Sequence, residues 1–86
     1  MAEQKIGLVT HYFGKIGVAA IQITDGELRL GDTVHIVGHT TDFTQRVDSM
    51  QVEHDSVDVA RKGDNIGTKV KEHAGEHDVV YKVTLD

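Results

Sequence analysis

The sequence predicts an all-β fold, a small six-stranded closed β-barrel, on three observations. Apolar residues recur at spacing two in short runs, the period of a half-buried strand. Gly and Asp punctuate those runs where tight turns are needed. Almost no stretch carries the period of an amphipathic helix. A closed barrel is the expected arrangement because closure removes exposed strand edges.

The runs justify the strands in order. Lys5–Phe13 alternates weakly, with Ile6, Leu8, Thr10 and Tyr12 on one side and Gly7, Val9, His11 and Phe13 on the other. Gly14-Lys15 is a two-residue turn, and Ile16–Thr24 is a second strand rich in Val, Ile and Ala. Asp25-Gly26 turns the chain into Leu28–Gly38, the strand around which the others gather. Within it Gly31-Asp32 interrupts the alternation, and Gly31 suits a backbone with positive φ. His39–Asp42 reads as a loop or hairpin tip. Phe43–Glu53 is a long strand whose apolar residues change sides between Val47 and Met50, as a bulge or sharp bend would produce. His54–Lys62 reads as a helical turn or irregular connection. Asn65–Lys71 and Val79–Leu85 complete the set, with a charged loop, Glu72–Asp78, between them. No internal repeat or linker stands out, so residues 1–86 are read as one domain.

Composition narrows the function. The 86 residues include no Cys, which excludes disulfides and thiolate metal sites. The polar start lacks the apolar stretch of a signal peptide, and the longest wholly apolar run is Val18-Ala19-Ala20-Ile21, too short for a membrane helix. A cytoplasmic protein with no membrane partner is the expectation. Nine basic residues against 14 acidic give a net charge of −5, a weak basis for gripping phosphates by charge alone.

Two stretches taken together resemble the second domain of translational GTPases, the β-barrel of elongation factor Tu and its archaeal and eukaryotic counterparts. The first is Leu28-Arg-Leu-Gly-Asp-Thr-Val-His-Ile-Val-Gly38, where the family has an apolar residue, Gly with an acidic residue, then alternating apolar residues and a Gly. The second is Val47-Asp-Ser-Met50, continued by Ala60-Arg-Lys-Gly-Asp-Asn-Ile-Gly67, which is similar to the family's V-x-S-[IM] strand and closing G-[DE]-N-[VI]-G. The resemblance covers residues 5–83. A similar barrel is appended to the C-terminus of U32-type peptidase proteins, and Val79-Val-Tyr-Lys-Val83 looks like the end of that version.

The resemblance implies a stand-alone, non-enzymatic binding module of the translation-protein domain 2 type, contacting tRNA or rRNA, the ribosome or a translation protein. The alternative it implies is a protein-interaction accessory of a U32 peptidase-type enzyme with no RNA role. No Gly-x-x-x-x-Gly-Lys-[Ser/Thr] is present, so GTP binding is not expected. Asp64-Asn-Ile-Gly67 reads as a turn-to-strand corner rather than a nucleotide motif. The acidic residue that the elongation-factor barrel places near the terminal adenine of tRNA falls at Gln51, and a basic neighbour falls at His54. Gln51 keeps hydrogen-bonding capacity without the charge.

Four residues are therefore the binding candidates: Gln51, His54, Arg46 and His39. Arg46 with the Arg61-Lys62 pair would touch a phosphate, although Asp55, Asp58 and Asp64 surround the pair. His35 and His39 are four apart and share a strand face with Thr33 and Val37, either a recognition surface or a plain exposed face. His11-Tyr12-Phe13 beside Lys15 either stacks bases or plugs a barrel end. His73 and His77 with Glu72, Glu76 and Asp78 are either metal ligands or a solvated loop. The loop context of Gly75 favours the second, so no metal or cofactor is expected. No nucleophile–base pairing is evident, and catalysis is not expected.

Overall fold

The computed structural model describes residues 2–84; Leu85, the predicted end of the last strand, lies outside them. Ten strands follow in order: β1 Ala2–Phe13, β2 Val18–Ile23, β3 Glu27–Arg29, β4 Thr33–Val37, β5 Asp42–Arg46, β6 Gln51–Val52, β7 Asp55–Ser56, β8 Val59–Arg61, β9 Asn65–Lys69 and β10 Val79–Thr84. Eight form one sheet in the order β5-β4-β10-β1-β2-β9-β6-β7, while β3 pairs with β8 alone. Ile6, Ile21, Val34, Ile36, Phe43, Ile66 and Val80 from six of these strands, with Leu28 and Met50, meet in a single buried core.

The chain is all-β as predicted, but the expected barrel closure is corrected: no sheet closes on itself among the described residues. The reason is visible at both ends of the sheet. β6 is two residues long and meets β9 at one pair, Gln51 with Gly67. β5 stops at Arg46, where the chain bends through residues 47–50. β5 and β9, the strands that closure would join, are linked by a side chain instead. The Gln45 amide donates from Nε2 to Lys69 O at 2.8 Å and accepts at Oε1 from Lys71 N at 2.8 Å.

β1 replaces Leu28–Gly38 as the organising strand, because it pairs with both β10 and β2. Its weak alternation has a physical cause. The register shifts between Lys5 and Gly7 on one edge and between Val9 and His11 on the other. Each bulge rotates the strand, so Ile6 and Val9, three residues apart, are both fully buried. Gly7 is required there, since a Cβ would lie 2.4 Å from Gln22 O.

Leu28–Gly38 is two strands in two different sheets, separated by the turn at Gly31-Asp32. Gly31 has φ +92° and Asp32 N donates to Arg29 O at 3.0 Å, the geometry of a type II turn. The Asp32 carboxylate accepts from Arg29 N at 2.8 Å, so the side chain clamps the turn it belongs to. The same device recurs at Arg61–Asp64. Gly63 has φ +97°, Asp64 N donates to Arg61 O at 2.9 Å, and Asp64 Oδ2 accepts from Arg61 N at 2.9 Å. Two Arg-x-Gly-Asp turns thus lead the paired strands β3 and β8 into β4 and β9, a short internal repeat that alternation alone does not reveal.

Three local expectations are corrected. Gly14-Lys15 is part of a longer loop in which Ile16 N and Gly17 N donate to Phe13 O at 3.2 and 2.9 Å, so Ile16 is at a hairpin tip rather than in β2. The predicted strand Phe43–Glu53 is β5, a bend that turns both Val47 and Met50 inward, and β6. His54–Lys62, read as helical or irregular, contains β7 and β8.

Candidate functional site

The β1–β2 tip and the β6–β7 hairpin form the two walls of an open apolar groove. Gly17, at φ +64°, lets the tip turn back tightly. That turn holds Phe13 and Ile16 out of the core, 46% and 62% exposed. The β6–β7 hairpin turns through Glu53 and His54, both at positive φ, 50° and 71°. Neither is Gly, so the turn stores strain of about 1 kcal/mol per residue, of the kind that gathers at binding sites. The hollow between them has a volume of about 420 Å³, and its lining includes Phe13, Ile16, Val18, Gln51, His54 and Ile66.

Of the four predicted binding residues, the structure therefore brings Gln51 and His54 together. Arg46 lies elsewhere, beside Gln45, Lys69 and Lys71 at the gap between β5 and β9. His39 stands exposed in the bend between β4 and β5. The groove's most exposed apolar residue, Ile16, is absent from the predicted set. The signal for it was the pair Gly14 and Gly17, which permit a four-residue loop and so remove Ile16 from the strand.

His35 occupies the outer face of the sheet. Nδ1 lies 2.9 Å from Glu3 Oε2, and Nε2 lies 2.5 Å from Asp42 Oδ1. The hydrogen bond with Asp42, then that with Glu3, raises the imidazole's pKa above its ordinary 6.5. Through these two bonds the ring joins β4 to β1 and β5. Next to it, Lys82 Nζ is 3.3 Å from Asp32 Oδ2. This face holds its charges in internal pairs.

The His-rich loop does not converge on a common point. His73 packs edge-on against Tyr12 with centroids 4.7 Å apart, and His11 pairs with Glu76 at 3.2 Å. Asp78 is buried and its Oδ2 accepts from Gly75 N at 2.7 Å. The described residues contain no group of three or more His, Cys, Asp or Glu placed to hold a metal. Of His11, Tyr12 and Phe13, only Tyr12 packs against the core.

The family model for elongation factor Tu domain 2 matches residues 17–76. Among curated relatives, an uncharacterized protease of Methanocaldococcus jannaschii is 38% identical over 90% of this chain and 19% of its own length. A collagenase of Porphyromonas gingivalis is 37% identical over 90% of this chain and 22% of its own length. The chain thus spans about a fifth of the length of the curated relatives it matches. Two solved structures are of the C-terminal domain of a Geobacillus thermoleovorans protein assigned to the U32 peptidases. One is 27% identical with a TM-score of 0.87, covering 94% of this chain and 93% of that one. The selenomethionine variant is 28% identical with a TM-score of 0.84, covering 90% and 96%.

These relatives overturn the expectation of a translation-associated factor contacting RNA or the ribosome. The relatives just described are a protease, collagenases and a U32 peptidase domain. The physical reason for the error is that Leu28–Gly38 and Val47–Gly67 encode turns and strands of the scaffold. Such features hold the fold together and say nothing of what it touches.

Proposed function

The chain belongs to the elongation factor Tu domain 2 family, and we propose that within it the chain serves as the non-catalytic accessory domain of a U32-type peptidase. The single observation that carries this reading is the match, end to end on both sides, with the solved C-terminal domain of a U32 peptidase. The docking surface is the groove of Phe13, Ile16, Gln51 and His54, and its occupant is the peptidase region that makes up the remaining four-fifths of the relatives. Covering the exposed half of two apolar side chains supplies about 1–1.5 kcal/mol each, a workable contribution to a domain–domain contact. Gln51 and His54 at the rim supply directional hydrogen bonds.

A binding titration tests this. The chain is added to a U32-type peptidase that lacks its own C-terminal domain, at low and at moderate salt. Saturable binding that survives the salt change and is lost with Phe13→Ser and Ile16→Ser supports the reading. Absence of binding, or binding indifferent to both substitutions, removes it.

A further inference from the structure

The gap in the sheet is a second surface, and none of its lining residues lines the groove. It is an open slot of about 320 Å³ between β5 and β9, bounded by Gln45, Arg46, Asp48, Lys69, Val70 and Lys71. Among the described residues β5 pairs only with β4, and the part of β9 beyond Gly67 pairs only with β2. Two strand edges therefore face each other across the slot with no strand between them.

Three backbone groups at the slot, Lys69 O and Lys71 N on one side and Arg46 O on the other, are met by a substitute. Gln45 Nε2 donates to Lys69 O at 2.8 Å and lies 3.4 Å from Arg46 O, and Gln45 Oε1 accepts from Lys71 N. One side-chain amide thus presents a donor and an acceptor where a peptide group of an added strand would present them. A side chain can rotate away without breaking the ladder on either side. The sheet edge is then available for strand addition, a recurring mode of peptide recognition.

Charge selects the occupant. Lys69 and Lys71 are exposed, stand two apart and form no ion pair among the described residues. Arg46 stands on the opposite wall, its Nε 3.4 Å from Asp48 Oδ1. The slot is a local cationic site on a chain of net charge −5. Carboxylates two residues apart on an added strand would face Lys69 and Lys71, and the residues between them would point inward toward half-buried Val70 and buried Val47.

We propose that the slot between β5 and β9 accepts an extended, acidic segment of a partner protein as an added strand, for which the Gln45 amide is the placeholder. The segment alternates acidic and apolar residues. This reading does not depend on docking at the groove.

The test is a titration of the isotope-labelled chain, followed by amide NMR shifts, with a peptide of about nine residues alternating Glu and Val. Saturable shifts are expected at Asp42–Arg46, Lys69–Lys71 and the Gln45 side-chain amide. The double variant Lys69→Glu, Lys71→Glu weakens binding at least about tenfold and shifts preference to a second peptide of the same length that alternates Lys and Val. Gln45→Ala tightens binding by about fivefold, because no side-chain bond has to be displaced. Should Gln45→Ala fail to fold, the exposed lysine pair still decides the matter. Three results overturn the proposal: no saturable shift, shifts at Phe13 and Ile16 instead, or equal binding of a peptide whose Glu residues are grouped at one end.

Discussion

The two ends of β1 arrive at opposite solutions. At Glu3 the strand enters a face where acidic side chains have cationic partners: Glu3 and Asp42 on His35, and Asp32 on Lys82. At Phe13 it leaves the sheet with an apolar ring and its neighbour Ile16 exposed, beside a hairpin strained by Glu53 and His54. The first end spends its interactions on holding strands together. The second holds apolar area in water, where covering it is favourable and exposing it contributes nothing to the fold. A solvent-facing charged surface and a docking surface can thus be told apart by asking which groups already have partners.

Substitutions can break or sharpen that contrast. The largest effect is expected from the double change Phe13→Ser, Ile16→Ser, which should lower affinity for a U32-type peptidase region about a hundredfold, the worth of two uncovered apolar side chains. Its thermal midpoint should barely move. A large fall in melting temperature would show that the tip belongs to the core.

Gly31→Val comes next, with a destabilisation of more than about 1 kcal/mol in denaturant unfolding, because a β-branched residue cannot adopt φ +92° without strain. Space is not the obstacle, since Arg46 Nη2 at 3.7 Å is the nearest atom to an added Cβ. Asp32→Ala and Asp64→Ala make a matched pair. Each loses the carboxylate that clamps its turn, but only Asp32 also pairs with Lys82, so its loss should be greater by about 0.5–1 kcal/mol. Equal losses would mean that the Lys82 pair adds nothing to stability.

The smallest effect concerns His35 and pH. Its folded pKa is raised, so the stabilisation is complete below 6.5 and is lost as pH rises through the folded value. The stability difference between the parent chain and His35→Gln, about 1 kcal/mol or less, should therefore shrink between about pH 6 and pH 8. A difference that grows over that interval would contradict the ion-pair geometry.

Much of the fold was legible because alternation and Gly-Asp turns are local signals. Ile21, Ile23, Val34 and Ile36 are buried as their spacing requires, whereas the last strand buries Val80 and leaves the apolar row Val79, Tyr81 and Val83 half-buried. What failed depends on partners far along the chain. Val59-Ala60-Arg61 is a strand because β3 pairs with it, and three residues are too few to show a period. Barrel closure failed because β5 stops at Arg46 and β6 meets β9 at a single pair, leaving a gap that the Gln45 side chain crosses, and nothing adjacent to Gln45 in sequence marks that reach. The groove was half legible: Gln51 and His54 came from a resemblance, while Ile16 was hidden by reading its loop as shorter than it is. Function was legible least, because the turns that identify the scaffold are not the residues that face a partner.

The most direct test of the docking account is amide hydrogen exchange of the chain, alone and with a U32-type peptidase lacking its C-terminal domain. The account predicts slowed exchange at residues 12–18 and 51–56, with the face around Glu3, His35 and Asp42 unchanged. Slowed exchange at that charged face, or no change at the groove, would contradict it.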